Sequence, residues 1–149
     1  MLPITDVRMK TVIRDGSRFR GFELVTSFES TCVYALIEDF RSCCEEYGSS
    51  IAIDGGREVT CRFRDGVDEH DIQYLRRTLV GHHILDVGWG EENRPGLKYE
   101  DPQTNKLDVR VRTISGTTVH LKLFNTHNGY YGHYTIVRWD GMCDDTNVL

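Results

Sequence analysis

The residues with the clearest chemical potential lie in the C-terminal third of the chain, where basic and aromatic side chains alternate with apolar ones. Guanidinium groups bind phosphate oxygens in pairs, lysine and protonated histidine add positive charge, and aromatic rings offer a flat surface for a nucleobase. This combination suits a nucleotide, another anionic ligand or a single strand of nucleic acid. The candidate ligand-binding residues are Arg110, Arg112, His120, Lys122, Phe124, Tyr131 and His133.

The strands that carry these residues are predicted from turn signals and from the alternating pattern over residues 107–139. Asn128-Gly129 is the strongest short signal for a two-residue type I′ hairpin. Such a turn sets a register in which Leu123 lies opposite Tyr134, and one face of both strands is then apolar.

The preceding hairpin is assigned the register that keeps the same face apolar. In it, Val109 lies opposite Leu123 and Val111 lies opposite Leu121, whereas a slip of one residue would set Val111 against His120. The seven candidate residues then share the opposite face. An ordinary solvated outer face, or one covered by the helix, fits the same pattern.

One helix is predicted at about residues 69–80. Asp68 can cap its start, an apolar stripe runs through Ile72, Leu75 and Leu79, and Gly81 ends it. A stripe of this kind needs a sheet to cover.

The remaining elements are short strands, a tight turn at Asp15-Gly16, a short helical or irregular turn over 39–47 and a long polar loop over 90–105. Together they predict a single globular α+β domain over residues 1–149, mostly antiparallel β-sheet with one principal helix packed on it, and a flexible tail over 143–149. The other predicted strands span 7–13, 18–26, 31–37, 50–53, 58–63 and 83–89.

Composition excludes several classes of protein. The 149 residues are 39% hydrophobic and 10% aromatic, which is too much for a disordered polar chain. No segment approaches the roughly 18 consecutive apolar residues that a membrane span requires. The net charge of −5, from 18 basic and 23 acidic residues, argues against a general nucleic-acid coat held by charge alone.

The N-terminal sequence and the cysteines indicate a reducing compartment. MLPITDVRMK lacks the features of a secretory signal, so we expect a cytoplasmic protein. Five cysteines are an odd number, and the adjacent Cys43 and Cys44 do not suggest a disulfide framework. We expect free, mostly buried thiols rather than metal ligands.

The strong motifs of catalytic and cofactor sites are missing from the sequence, including phosphate loops, dinucleotide-binding glycine motifs, zinc-protease motifs and nucleophile elbows. No catalytic residue, cofactor or metal site is therefore predicted. One enzymatic interpretation stays open, in which His120 or His133 is a general base and Arg110 or Arg112 stabilises a phosphorane-like charge.

Two motifs resemble those of a family of uncharacterised small bacteriophage and bacterial proteins. One is Cys43-Cys44-Glu45-Glu46-Tyr47-Gly48 after an apolar strand, and the other is Asn125-x-His127-Asn128-Gly129-Tyr130-Tyr131-Gly132-His133 near the end. The resemblance runs in order through residues 6–139. It implies a phage-associated context and a β-rich fold, and it assigns no catalytic residue.

These observations favour a non-catalytic binding protein over an enzyme. The expected partner is a host protein, as for an inhibitor of a host defence component, or an anionic nucleotide-like ligand that is sequestered. No membrane is expected as a partner, and homo-oligomerisation is left open. The alternatives are a phosphate-directed enzyme that uses the basic and aromatic face, and a structural or assembly protein.

Overall fold

Two antiparallel sheets of five strands each make up most of the described chain, which in this computed structural model covers residues 2–40, 46–63, 65–90, 104–126, 132–145 and 148–149. A helix, α1 (Glu69–Leu79), and a short 3-10 turn (Glu29–Thr31) complete the regular elements of these ranges. The α+β class predicted from the sequence is confirmed. In chain order the strands are β1 (Asp6–Arg14), β2 (Ser17–Val25), β3 (Val33–Glu38), β4 (Glu46–Ile53), β5 (Glu58–Arg62), β6 (Ile84–Trp89), β7 (Thr104–Thr113), β8 (Thr118–Thr126), β9 (Thr135–Trp139) and β10 (Met142–Asp144).

The first sheet has the strand order β1-β2-β3-β9-β10, and the second has the order β5-β4-β8-β7-β6. The first hairpin turns at Asp15-Gly16, as predicted, and both residues have positive φ, 53° and 80°. Positive φ at both central positions is what a type I′ turn requires.

One core lies between the inner faces of the two sheets and extends under the helix. Phe22 and Leu24 of the first sheet belong to it together with Ile51 and Leu121 of the second. Between the sheets, the backbone N–H of Phe22 donates to Ser49 Oγ at 3.2 Å. Contact across this layer keeps the second sheet's other face outward.

The helix prediction is confirmed in its start, its buried stripe and its end. Asp68 Oδ1 accepts the backbone N–H of His70 at 2.7 Å. Ile72, Leu75 and Leu79 are the buried residues of α1. Gly81 follows with φ at 95°, a conformation that favours glycine and ends a helix.

The predicted three-stranded meander over residues 107–139 is wrong. β8 pairs with β4 on one side and β7 on the other, whereas β9 pairs with β3 and β10 in the other sheet. Leu123 is therefore opposite Ser49 and Leu107 and is fully buried, and Tyr134 is 56% exposed. A turn signal is local, and it cannot show that both edges of β8 are already occupied. Residues 127–131, including the Asn128-Gly129 turn, lie outside the described residues.

The predicted register of the β7–β8 hairpin is wrong by two residues. Val109 pairs with Leu121 and Val111 pairs with Val119. Because side chains alternate with a period of two, a shift of two leaves every residue on its predicted face. The apolar pattern therefore determines the face, while the turn, with Gly116 at φ 91°, determines the partner.

The C-terminal residues differ from the predicted flexible tail. Cys143 and Asp144 form part of β10, and Leu149 is 1% exposed in the core. The backbone N–H and C=O of Leu149 exchange hydrogen bonds with those of His133, at 2.8 and 2.7 Å. Within the described ranges no helix has the length and hydropathy that crossing a membrane requires.

Candidate functional site

The outer face of the second sheet carries five of the seven candidate residues. We use "outer face" for the side of β4, β5, β7 and β8 that points away from the core. Arg110 of β7 lies directly opposite His120 of β8, and Lys122 and Phe124 follow His120 at alternate positions. The alternation predicted for this part of the sequence therefore brings these four side chains together.

A buried carboxylate on the same face holds His120. Asp108 is 2% exposed, and its Oδ1 and Oδ2 lie 3.0 and 3.2 Å from His120 Nδ1. An ionised carboxylate only accepts hydrogen bonds, so Nδ1 is assigned as the donor. The other ring nitrogen, Nε2, faces outward and lies 3.5 Å from Oδ1 of the exposed Asp54.

The main chain at Gly90 covers Asp108. A Cβ at this glycine would lie 2.1 Å from Asp108 Oδ2, and the Gly90 N–H donates to the Asp108 carbonyl at 2.9 Å. Only a residue without a side chain lets the backbone approach the carboxylate this closely. Gly90 thus shields the carboxylate from water and limits its movement.

The guanidinium of Arg110 includes a buried hydrogen-bond donor. Its Nε is inaccessible to solvent and has no hydrogen-bond partner among the described residues. A buried N–H without an acceptor costs on the order of 1–3 kcal/mol, and more when the group is charged. Turning this side chain toward an anion on the outer face would remove part of this cost.

A second cation lies in the next row of the face, beside a serine whose hydroxyl is already hydrogen-bonded. Lys122 is opposite Asp108 on β7 and opposite Ser50 on β4. Ser50 is buried, and its Oγ donates to Glu58 Oε1 at 2.8 Å. The hydroxyl of Ser50 is therefore engaged within the protein.

Phe124 provides the aromatic part of the face. It lies opposite Gly48, and a Cβ at Gly48 would come within 3.1 Å of Phe124 Cζ. The ring therefore rests over the bare backbone of β4 and is half-buried. The exposed part of the ring is where a base would stack.

Arg112 is on the outer face but is already paired. Both its Nε and an Nη bond the carboxylate of Asp86, with Nε to Oδ1 at 2.9 Å. The hydrogen bond from Arg112 lowers the pKa of Asp86, and the same bond raises the pKa of Arg112. This guanidinium is a weaker candidate for an external anion than Arg110.

His133 is not on the outer face, so the prediction that it shares a face with His120 is wrong. It is fully buried, and its Nδ1 donates to the carbonyl of Glu38 at 2.6 Å. Its ring stacks on Phe40 at 4.2 Å and lies 4.4 Å from the ring of Tyr47. The reason is topological, because the chain passes to the other sheet before β9. Tyr131 lies outside the described residues.

The described cysteines are free thiols. Cys32 and Cys61 are buried and Cys143 is exposed, while Cys43 and Cys44 lie outside the described residues. Burial raises the pKa of the Cys61 thiol. In the described part of the chain, no three histidine, cysteine or acidic side chains form a group able to hold a metal ion.

Three residues that shape this site are absent from the candidates predicted from the sequence: Asp108, Asp54 and Gly90. The signal for Asp108 was present, since it precedes Arg110 by two residues and therefore shares its face. Asp54 and Gly90 follow other strands, and no local pattern connects them with His120. The outer face is consequently of mixed charge rather than purely basic and aromatic.

The fold and this face define a small two-sheet α+β protein with an oriented histidine, two cations and an aromatic ring together on one surface. Such a set can hold a phosphate group and accept a proton beside it. No family model, no curated protein and no solved structure matches the chain.

Proposed function

We propose that the protein binds an anionic, nucleotide-like ligand on the outer face of its second sheet. The observation that carries this proposal is the solvent-inaccessible Nε of Arg110, which has no acceptor within the described residues. A phosphate can reach this Nε only when the Arg110 side chain turns outward, and it would then supply the acceptor in a charge-assisted, bidentate arrangement.

The neighbouring side chains fit the remaining parts of a nucleotide. Residues two apart on a strand are separated by about 7 Å, so Lys122 lies between His120 and Phe124 at that spacing. A phosphate near Arg110 and Lys122 leaves the base within reach of the Phe124 ring. The ligand is then held by charge at one end and by stacking at the other.

The carboxylates on the face favour a small ligand over a long polyanion. Asp54 and Glu58 are both exposed at its edge, and Asp108 lies in its centre. A polyanion spread across the sheet would meet these negative charges and be repelled. A ligand with one or two phosphates held at Arg110 and Lys122 would lie beside Asp108 but would not extend to Glu58 on the edge strand β5.

Isothermal titration calorimetry with uridine monophosphate and with inorganic phosphate tests the proposal. Arg110→Ala should weaken both probes at least tenfold, because a charge-assisted bond is worth about 1.5–3 kcal/mol. Arg138→Ala, which removes the same charge from the first sheet, is the matched control and should change neither.

Phe124→Ala separates stacking from charge in the same titrations. We expect weaker binding of uridine monophosphate and unchanged binding of inorganic phosphate, because only the nucleotide has a base to stack. Equal affinities for wild type and a folded Arg110→Ala variant would remove the outer face from the function.

The biological setting is proposed from the resemblance to phage and bacterial proteins. In that setting the protein acts in the host cytoplasm, where it sequesters a nucleotide-like ligand or blocks a host defence component. Mass spectrometry of extracts from denatured, natively purified protein would detect such a ligand. An assembly protein would release none, and a protein inhibitor would instead copurify with its host target.

A further inference from the structure

We propose that the outer face also cleaves the phosphodiester bond of a short ribonucleotide substrate, with His120 as the general base. This inference rests on the proposed function, because the same face must first hold the phosphate. It goes beyond binding by assigning a reaction and a substrate class to that site.

The orientation of His120 is the first argument. Asp108 accepts the Nδ1 proton, with its two oxygens at 3.0 and 3.2 Å, and so leaves the lone pair on the outward-facing Nε2. A buried carboxylate that fixes the tautomer in this way is the device that makes a histidine an effective base. The close approach of Gly90 to the carboxylate limits the movement of the Asp108–His120 pair.

The source of the nucleophile is the second argument. Ser50 is the hydroxyl residue nearest to Lys122 in the β4 register, and its Oγ is buried and bonded to Glu58. The Ser50 hydroxyl is therefore not an activated nucleophile, and the proposal takes the nucleophile from the substrate. A ribonucleotide carries one, the 2′-hydroxyl, adjacent to its phosphorus.

The step balances with the groups on the face. His120 Nε2 takes the proton of the 2′-hydroxyl, the O2′–P bond forms, and the P–O5′ bond breaks. The departing O5′ takes a proton from water, and the histidine returns its proton to solvent. The products are a 2′,3′-cyclic phosphate and a 5′-hydroxyl.

The charged neighbours match the charges that develop in this step. Arg110 lies opposite His120 and Lys122 lies two residues from it, so both cations are next to a phosphate bound at His120 and would stabilise the negative charge on its phosphorane oxygens. Asp54 Oδ1, 3.5 Å from Nε2, lies where the imidazolium forms and would stabilise it. The same groups that bind the phosphate therefore favour its transition state.

The test incubates the purified protein with the dinucleotide uridylyl-3′,5′-adenosine and, separately, with its 2′-deoxyuridine analogue. Products are separated by chromatography and identified by mass. We expect a 2′,3′-cyclic uridine phosphate from the ribonucleotide and no cleavage of the deoxy analogue.

Variants purified in parallel identify the base and control for contaminating nucleases. His120→Gln should reduce the rate by about 10²–10⁴, the usual contribution of a general base. His70→Gln, at an exposed position on α1, should leave the rate unchanged. Asp108→Asn should slow cleavage at least tenfold, and urea unfolding shows whether each variant is folded. If Asp108→Asn does not fold, His120→Gln decides the question by itself.

Three results would overturn the inference. They are equal cleavage by wild type and folded His120→Gln, equal cleavage of the deoxy analogue, and tight binding of the ribonucleotide without any product. The last result would leave the proposed binding function intact. Absence of binding to either dinucleotide or to uridine monophosphate would overturn both proposals.

Discussion

Replacing Gly90 by alanine should destabilise the protein through one identifiable contact. The new Cβ would lie 2.1 Å from Asp108 Oδ2 and 2.3 Å from its Cγ, well inside the 3.0 Å that such contacts keep. The φ of Gly90 is not in the positive range, so the backbone itself accepts alanine. The cost must therefore come from moving the carboxylate away from His120 or from shifting the chain at Gly90.

The expected loss in the free energy of unfolding follows from the contacts that the new Cβ would disturb. Displacing the carboxylate loses a charge-assisted hydrogen bond to His120, worth about 1.5–3 kcal/mol. If the chain at Gly90 shifts instead, overpacking of the buried site costs a similar amount. Alanine also lowers the conformational entropy of the unfolded chain, which stabilises the folded protein by about 0.4–1 kcal/mol. We expect a net loss of about 1–2 kcal/mol in the free energy of unfolding.

Urea unfolding followed by circular dichroism measures this loss, and Gly88→Ala is the matched control. A Cβ at Gly88 meets nothing within 4 Å, so this variant should stay within about 0.5 kcal/mol of the parent. In an Asp108→Ala background the carboxylate is gone, and Gly90→Ala should stabilise the protein by about 0.4–1 kcal/mol. The resulting coupling energy is then about 1.4–3 kcal/mol.

Two results would refute this reasoning. The first is a Gly90→Ala cost equal to that of Gly88→Ala. The second is a Gly90→Ala cost that is the same with and without Asp108, which would place the strain elsewhere.

Three further predictions concern a turn, two thiols and an ion pair. Gly16→Val should cost more than about 1 kcal/mol in unfolding free energy, because a β-branched residue does not adopt the φ of 80° found there; an unchanged midpoint would contradict it. Brief iodoacetamide treatment of the native protein at pH 8, read by peptide mass spectrometry, should modify exposed Cys143 and spare buried Cys61, whose raised pKa keeps it a thiol; equal modification would count against the burial. Because the pKa of Asp86 is lowered in the folded state, the ion pair adds stability above the unfolded pKa of about 3.9, and this stability is lost as pH falls through the lower folded pKa. The pKa of Asp86, measured by NMR titration, should rise in Arg112→Ala. An unchanged pKa would exclude the ion pair as the cause of the shift.

Part of the candidate site was predictable from the sequence because it lies on two strands joined by a short turn. Alternation along residues 107–124 predicts that Arg110, His120, Lys122 and Phe124 share a face, and the structure places them on one. Asp108 obeys the same rule and was overlooked among the basic residues. His133 could not be placed, because its face depends on which sheet receives β9.

The sequence by itself determined which face of β7 and β8 is apolar and where the helix and the first hairpin lie. Val109, Val111, Leu121 and Leu123 face the core in the predicted and the observed register alike, since any even shift preserves the face. These are local properties, encoded in alternation, capping and turn residues within a few positions.

Only the tertiary structure decided which strands are partners and which distant residues complete the outer face. Many strands have the same alternating pattern, and that pattern does not specify which strand each one will pair with. The choice between β4 and β9 as the neighbour of β8 depends on the combined packing of both sheets and the helix. For that reason the carboxylate of Asp54 and the bare backbone of Gly90 meet the Asp108–His120 pair only after the whole chain has folded.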